Sequence, residues 1–214
     1  MKIGVIGAGI AGGYLGSALG QLGHDVVVLE KSRGFGGRLA TRRGEGVQFD
    51  HGAPFFTART SLFKELLAEH ASSVVEWTPR VTTLSPSGKS YKRDWFEPHY
   101  IGAPAMGAPA QSLLATNEVQ FEREVDTVES EAERCLVHFK DGGVEPYDFV
   151  ISTAPAPQTA AIMNIELEEV SYSPCFALLA IPKPLNFDAA VVKDSLIEWV
   201  EYTASKPGRV STPT

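Results

Sequence analysis

The sequence of 214 residues predicts an α/β fold, in which a parallel sheet starts at the N-terminus and an α+β region with a mixed sheet is inserted into it. Three features near the start predict this fold. A short β-branched run at 2–6 breaks at a glycine, apolar residues recur at helical spacing from Ile10 to Leu22, and a continuous apolar run occupies 26–29. Continuous apolar runs are typical of parallel strands that are covered on both faces.

Weaker patterns predict the remaining elements. The residues at helical spacing in the first helix are Ile10, Tyr14, Leu15, Ala18, Leu19 and Leu22, and Gly23 is expected to end it. Thr60 or Ser61 is expected to cap a second helix, and Pro109 to open a short third one up to Leu114. Further strands are predicted at 74–77, 90–95, 119–121, 125–128, 136–140, 148–153, 176–181 and 196–202, with a turn at 141–143.

The composition favours a globular protein that acts on a small molecule. The net charge of −7 leaves no basic surface for nucleic acid or anionic lipid. Cys135 and Cys175 lack any metal or redox spacing and are expected to be reduced thiols of a cytoplasmic chain. No segment approaches the ~18 apolar residues of a membrane-spanning helix. We therefore expect no nucleic-acid or membrane partner.

The turn after the first strand has the spacing of a phosphate-binding loop. Gly7, Gly9 and Gly12 form G-x-G-x-x-G between a strand and a helix. The first glycine allows a tight turn, the second lets the backbone approach a pyrophosphate, and the third lets helix and strand pack closely. Glu30 ends the second strand, where a carboxylate accepts ribose hydroxyls and disfavours a 2′-phosphate. The sequence thus predicts a Rossmann-type unit for NAD or FAD.

A second glycine pair follows in the loop after Glu30. Gly36 and Gly37 permit close approach to an elongated ligand, and Arg38 can pair with its pyrophosphate. The stretch resembles the E-x-x-x-x-x-G-G-R signature of the flavin amine oxidase superfamily, whose members bind FAD. The downstream segment "FDHGAPFF" resembles the superfamily segment that passes the flavin ring. This half of the loop favours FAD over NAD.

A closer resemblance is to the renalase family and its bacterial members. It is carried by "GGRLATRR", "FDHGAPFFTAR", "YIGAPAM", "VISTAPAPQTAAIM", "EVSYSPCFALL" and "SLIEWVEYTASKPGR". The resemblance implies that hydride passes from a 2- or 6-dihydroNAD(P) isomer to flavin N5, with O2 as terminal acceptor and H2O2 as product. It also implies FAD contacts from the backbone of Ala11, the side chains of Glu30 and Arg38, the turn of Gly52, Ala53 and Pro54, the backbone of Val125 at the adenine, and Lys31 at the ribose. The glycines Gly7, Gly9, Gly12 and Gly37 are added to these contacts by their spacing.

The resemblance also predicts the domain organisation. The FAD-binding domain is expected at 1–53 and 115–160, and the substrate domain at 54–114 and 161–214. Because members of the family continue past the stretch "KPGR", we expect a chain truncated at its C-terminus, with the last part of both domains missing and the flavin-ring half of the site incomplete. The expected sheet likewise lacks a final parallel strand.

Other candidate residues carry weaker signals. His51 is a weak catalytic candidate, and a hydrogen-bonded loop histidine is the simpler interpretation. Arg42 and Arg43 either bind an anionic substrate, such as a second dinucleotide, or form an exposed pair. The aromatic residues Trp77, Trp95, Trp199 and Tyr202 could form a wall over the flavin, although core packing is commoner. The histidines show no metal-ligand spacing, so no metal is expected.

Two other functions remain open at this level. One is a flavin-containing amine oxidase, or a desaturase that acts on an apolar polyene. The other is a nucleotide-binding fragment without catalytic activity. In the renalase-type interpretation no side chain needs to act as acid or base, because the flavin carries the chemistry.

Overall fold

The structure, a computed structural model, describes residues 1–44, 46–88, 91–92, 97–181 and 185–209. The chain forms two compact units. The first combines Met1–Arg38 with Pro109–Phe176, and the second combines Leu39–Ala108 with Ala177–Thr214. These units begin and end at other positions than the predicted domains, whose bounds remain a prediction.

The first unit is built on a parallel sheet, as predicted. Its elements are β1 (Lys2–Ile6), α1 (Ile10–Gln21), β2 (Asp25–Leu29), α3 (Ala108–Leu113, which starts at the unit boundary), β9 (Glu118–Gln120), β10 (Val125–Ser130), β11 (Cys135–Phe139), β12 (Val144–Tyr147), β13 (Phe149–Ser152) and α4 (Ala156–Met163). The four parallel strands lie in the order β13, β1, β2, β9. Strands β10, β11 and β12 form a separate antiparallel sheet.

The packing of β2 explains why residues 26–29 of this strand are all apolar. Val26 and Val28 pack with Ile3 and Val5 in one buried cluster. The alternate residues Val27 and Leu29 pack in a second cluster, together with Ile6, Val125, Val137, Phe139 and Tyr147. Because side chains alternate across a strand, a sheet covered on both faces needs apolar residues at every position.

Helix α1 has the predicted extent and contacts its neighbours through leucines and glycines: Leu15 and Leu19 are partly buried and pack against the cluster that contains Val5 and Val28. Gly12, Gly13 and Gly16 are its buried residues, whereas Tyr14 and Leu22 are 47% and 74% exposed. A Cβ atom on Gly16 would lie 2.7 Å from Cδ2 of Leu114. The buried glycines therefore let the backbone of α1 lie close to Leu114, where a larger side chain would not fit.

The second unit carries a mixed sheet. Its elements are β3 (Thr41–Gly44), β4 (Val47–Asp50), α2 (Ser61–Glu69), β5 (Val74–Trp77), β6 (Val81–Leu84), β7 (Tyr91–Lys92), β8 (His99–Gly102), β14 (Ala189–Val192) and β15 (Trp199–Glu201). The order of the four-stranded sheet is β15, β14, β6, β7, and only β6 and β14 run parallel. Helix α2 is capped as predicted, since Oγ1 of Thr60 accepts the N–H of Phe63 at 3.3 Å.

One predicted strand is wrong. Residues 176–181 form neither helix nor strand, and Phe176 and Leu178 are 95% and 88% exposed. The run has strand-like composition, but no described strand pairs with it, and an unpaired strand is not stable on composition alone. Of the strand predicted at 90–95, the structure describes Tyr91–Lys92 as β7. The rest of that run, including Trp95, lies outside the described residues.

Within the described ranges, no helix combines the length and the apolar character that crossing a membrane requires.

Candidate dinucleotide-binding site

The turn between β1 and α1 offers backbone N–H groups to an anion. Gly7 has φ of 104° and donates its N–H to the carbonyl of Leu29 at 2.8 Å, which folds the turn over the end of β2. Gly9 is the N-cap of α1, which has no side-chain cap and no acidic residue in its first turn. The positive end of the helix dipole and the first-turn N–H groups are thus open to a phosphate.

Gly12 is required by the close approach of α1 to this turn. A Cβ atom at this position would overlap the carbonyl oxygen of Gly7 and would come within 3.1 Å of Oγ1 of Thr153. Glycine alone leaves the room in which the turn can close under the helix. This close approach agrees with the packing role that the spacing predicts for the third glycine.

The Glu30 side chain is held by the backbone on both sides of the site. Its Oε2 accepts the N–H of Ala8 at 2.8 Å, and its Oε1 accepts the N–H of Ser32 at 2.7 Å. The residue is 6% exposed. A carboxylate has about four acceptor positions, so two remain for the hydroxyls of a ribose.

The second glycine loop lies alongside the first turn. The N–H of Gly36 donates to the carbonyl of Ala8 at 2.9 Å, and Gly9 and Gly36 form a parallel bridge. A Cβ atom on Gly37 would lie 3.6 Å from Cα of Gly9. Small residues therefore lie on both sides of the contact between the two loops. Arg38 follows within the 3-10 helix Gly37–Leu39 and is exposed.

The residues that precede β10 form hydrogen bonds with the loop after β2. Glu122 and Arg123 donate their N–H groups to the carbonyls of Ser32 and Glu30 at 3.1 and 3.0 Å. Val125 follows, with its side chain buried in the core, which leaves only its backbone able to contact a ligand. Lys31 lies exposed next to Glu30. The fold thus gathers three segments far apart in sequence around one carboxylate.

Thr153 is a residue at this site that the sequence analysis missed. It follows β13, and its Oγ1 donates to the carbonyl of Ile6 at 2.8 Å and lies 3.3 Å from the carbonyl oxygen of Gly7. The backbone N–H of Thr153 donates to the carbonyl oxygen of Ile6 at 2.9 Å. The site thereby lies beside the carboxyl end of β1, where the sheet order changes direction, the usual place for ligands in such sheets.

Replacing Thr153 by valine is expected to weaken ADP binding by about three- to tenfold, because the phosphate turn loses a hydrogen bond that fixes its carbonyl groups. Titration calorimetry with ADP measures this effect. Thr153→Ser keeps the hydroxyl and should retain the affinity. Equal losses in both variants would show that the methyl group, and not the hydroxyl, supports the turn.

The predicted flavin-ring segment belongs to the second unit. His51, Gly52, Ala53 and Pro54 follow Asp50, the last residue of β4. His51 and Gly52 are exposed, and Ala53 and Pro54 are partly buried. Further along, Phe56 exchanges two backbone hydrogen bonds with Tyr100, at 2.9 and 2.8 Å.

A buried ion cluster precedes this segment and was not anticipated. Oδ2 of Asp50 accepts from Nζ of Lys206 at 2.9 Å and from Nη2 of Arg209 at 2.9 Å. Lys206 also donates to Glu201 at 2.6 Å. Oδ1 of Asp50 accepts the hydroxyl of Thr41 at 2.6 Å. The side chains of Asp50, Lys206 and Arg209 are 0% exposed.

The pKa values of the two carboxyl groups in this cluster, Asp50 and Glu201, are shifted in opposite directions. Burial works to raise the pKa of Asp50, but Lys206 and hydrogen bonds from Arg209 and Thr41 outweigh it and hold that pKa below its ordinary value. Burial raises the pKa of Glu201 despite its contact with Lys206. Both cations lie in "SKPGR", a stretch that the sequence marks only through its resemblance.

The two arginines of β3 cannot both face one ligand on the same side. Arg42 and Arg43 are adjacent in a strand, so their side chains point to opposite faces. Both are exposed, and neither forms an ion pair with any residue that the structure describes.

The aromatic candidates belong mainly to the core of the second unit. Trp77 is 3% exposed and packs with Val81 and Ile101, and Trp199 packs against the same cluster. Trp77 is thus core and not an open wall, whereas Tyr202 is half-buried. Among the residues placed by the structure, no group of three or more His, Cys, Asp or Glu is arranged to hold a metal ion.

Fold and site together define a Rossmann-like dinucleotide-binding protein. Residues 5–69 match the family of the NAD(P)-binding Rossmann-like domain, and residues 94–184 match the family of flavin containing amine oxidoreductase. Over these two stretches the chain is therefore similar to Rossmann-like dinucleotide-binding proteins and to flavin-containing amine oxidoreductases.

One curated protein shares part of the sequence, and two solved structures share the fold. A 4,4'-diapophytoene desaturase of Staphylococcus aureus is 35% identical over 66 residues, which is 31% of this chain and 13% of the desaturase. The PF1083 protein of Pyrococcus furiosus has a TM-score of 0.66 at 14% identity, over 97% of this chain and 76% of that one. A putative protoporphyrinogen oxidase of Exiguobacterium sp. 255-15 also has a TM-score of 0.66, at 11% identity, over 99% and 75% of the two chains.

The two family matches together imply FAD as the cofactor, and the residues of the first unit fit its adenosine diphosphate half. Glycines lie on both sides of the contact between the two loops, and the N-terminus of α1 has no side-chain cap. Glu30 keeps two acceptor positions that ribose hydroxyls can fill. These are the groups that a dinucleotide needs at this end.

Proposed function

We propose that this protein is an FAD-dependent oxidoreductase of the renalase type, which takes hydride from a 2- or 6-dihydroNAD(P) isomer and uses O2 as terminal acceptor. One observation carries the cofactor half of the proposal: the buried Glu30 carboxylate, held by Ala8 and Ser32 between two glycine loops. The substrate half rests on the resemblance of the stretches quoted above. A cytoplasmic location is part of the same proposal.

In this proposal each segment has one task. The first-turn backbone of α1 binds the pyrophosphate, Glu30 orients the ribose, and the backbone at Val125 contacts the adenine. The residues proposed to hold FAD are Gly7, Gly9, Ala11, Gly12, Glu30, Lys31, Gly37, Arg38, Gly52, Ala53, Pro54 and Val125. Arg38 would neutralise phosphate charge as a fork-shaped donor.

When bound, FAD would supply a two-electron acceptor for the hydride of the substrate, and the hydride, a proton from water and O2 together give H2O2. The protein's own contribution in this proposal is to bind and orient the dinucleotide. A dihydropyridine substrate needs no side-chain base. His51 therefore remains only a weak candidate for a proton-transfer role in this proposal.

Two measurements test this function. The purified chain should carry FAD, seen as visible flavin absorption, and stopped-flow mixing with 6-dihydroNAD should bleach that absorption faster than any of a panel of amines does. Bleaching by amines alone would replace the proposal by the second candidate, a flavin-containing amine oxidase, which the family match at 94–184 supports. Equal affinity for ADP and FAD would instead favour a nucleotide-binding module without catalysis.

The Glu30→Gln variant should bind ADP about tenfold more weakly or worse, because an amide offers one acceptor oxygen where the N–H groups of Ala8 and Ser32 occupy two. Calorimetry with ADP measures the loss. Glu133→Gln is the matched control, since Glu133 is exposed in the same unit. An unchanged affinity of Glu30→Gln for ADP would show that the Glu30 carboxylate does not bind the ribose.

A further inference from the structure

A ring of three hydrogen bonds closes the connection between β13 and α4 in the first unit. The hydroxyl oxygens of Ser152 and Thr159 lie 2.7 Å apart. Oγ1 of Thr159 donates to the carbonyl of Ala154 at 3.0 Å, and Oγ of Ser152 accepts the N–H of Ala154 at 3.3 Å. Because a hydroxyl has one proton to donate, Ser152 is the donor to Thr159. Each member of this hydrogen-bond ring therefore donates once and accepts once.

The hydrogen-bond ring flanks Thr153, the residue that supports the glycine turn. The Thr153 hydroxyl donates to the carbonyl of Ile6 at 2.8 Å and lies 3.3 Å from the carbonyl oxygen of Gly7. A Cβ atom on Gly7 would lie 2.9 Å from Oγ1 of Thr153, and one on Gly12 would lie 3.1 Å from it. The hydroxyl thus fills the space beside the first and third glycines of the turn. A displacement of Thr153 would therefore displace the turn as well.

The connection itself is unsuited to bind an anion through its backbone. Within residues 153–156, all of which the structure describes, every backbone N–H is already used. The N–H groups of Thr153 and Ala154 donate to the last carbonyl of β1 and to the hydrogen-bond ring. Pro155 has no N–H, and Ala156 donates to the hydroxyl of Tyr172 at 3.1 Å. The connection can therefore affect a phosphate only through the shape that it gives to the glycine turn.

We propose that Thr159 is a positioning residue for the pyrophosphate of the dinucleotide: with Ser152 it fixes Thr153, and Thr153 holds the turn whose N–H groups face the phosphates. This inference rests on the proposed function, in which that turn binds the pyrophosphate of FAD. All the residues involved belong to the first unit. The ribose and the adenine are assigned to Glu30 and to the backbone of Val125, so that the effect of Thr159 is confined to the phosphates.

The test compares ADP with adenosine, which lacks the phosphates. Thr159→Val removes the hydroxyl and keeps the branched shape, whereas Thr159→Ser keeps the hydroxyl. Thr116→Val is the matched control, because Thr116 is exposed and precedes β9, at the edge of the parallel sheet opposite the carboxyl ends of the strands. Calorimetry measures the affinity for ADP, and ligand-observed NMR measures the affinity for adenosine.

Thr159→Val should bind ADP about three- to fivefold more weakly than wild type, because two hydrogen bonds of the ring are lost, and should bind adenosine within about twofold of wild type. Thr159→Ser and Thr116→Val should match wild type with both ligands. An unchanged affinity of Thr159→Val for ADP would overturn the inference. Parallel losses of ADP and adenosine binding would also overturn it, because the effect would then not be specific to the phosphates.

A double variant, Thr153→Val with Thr159→Val, tests whether Thr159 acts through Thr153. In that case the double variant should bind ADP within about twofold of Thr153→Val alone. Losses that multiply would show two independent effects and would overturn the inference. If wild type binds ADP no more tightly than adenosine, the pyrophosphate site of the proposed function fails, and the inference with it. A wild-type preference for ADP that Thr159→Val retains in full overturns the inference alone.

Discussion

Replacing Asp50 by asparagine is expected to lower the free energy of unfolding by about 3–5 kcal/mol. The variant leaves Lys206 and Arg209 buried with Glu201 as their remaining counter-charge, and Glu201 is itself disfavoured as an anion by burial. The amide keeps the size of the side chain, so that the loss reports charge and not a cavity. Denaturation in urea at pH 7, followed by circular dichroism, measures the change.

The control for Asp50→Asn is an exposed ion pair of the same unit. Arg59 and Glu97 are joined at 3.1 Å, with side chains 76% and 49% exposed. Glu97→Gln should therefore cost less than about 1 kcal/mol, because water screens such pairs. Similar losses from Asp50→Asn and Glu97→Gln would mean that the buried cluster contributes no more than a surface pair.

The effect of Asp50→Asn should also depend on pH. The pKa of Asp50 in the folded protein lies below its ordinary value. A carboxyl group of this kind contributes stability that is complete above its unfolded pKa and is lost as pH falls through its folded pKa. The difference in unfolding free energy between wild type and Asp50→Asn should thus narrow below about pH 4. A difference that stays constant down to pH 3 would contradict the assignment.

The Gly12→Ala substitution should reduce ADP and FAD binding by about a hundredfold or more. The new Cβ atom would overlap the carbonyl oxygen of Gly7, which is backbone and cannot rotate away. Either α1 moves outward or the turn opens, and both displace the N–H groups that would face the pyrophosphate. Calorimetry gives the affinities, and thermal unfolding shows how much of the loss is global.

Gly34→Ala is the matched control for Gly12→Ala. A Cβ atom on Gly34 would meet no heavy atom within 4 Å, so that the same chemical change is made in the same unit without a clash. The control should bind ADP as wild type does. An affinity of Gly12→Ala equal to that of Gly34→Ala would show that the close approach of helix and turn is not what the ligand needs.

Local sequence patterns were sufficient to predict the secondary structure at the start of the first unit. The spacing of Gly7, Gly9 and Gly12 after a β-branched run predicts strand, turn and helix, and each lies where it was predicted. The parallel strands near 119 and 150 were also predictable from their apolar character, and β9 and β13 confirm them within a residue or two. Periodicity and glycine spacing are local properties, so they can be read without knowledge of the fold.

Contacts between residues far apart in the sequence could not be predicted from local patterns. The apolar spacing in α1 correctly predicted the packing of Leu15 and Leu19, but it did not predict the exposure of Leu22 or the share of the contact that buried glycines make. The run at 176–181 has strand composition without a described partner strand. In both cases the outcome depends on what another segment places opposite, which no local pattern contains.

The sequence by itself determined the class of cofactor site: the glycine turn, the acid after β2 and the second glycine pair each follow from spacing along one continuous stretch. Only the tertiary structure decided that Thr153 supports the glycine turn and that Asp50 is bound by Lys206 and Arg209. The physical reason is that a phosphate-binding turn is shaped by steric limits on neighbouring residues. A buried charge, in contrast, needs partners that only the folded chain brings within hydrogen-bonding distance.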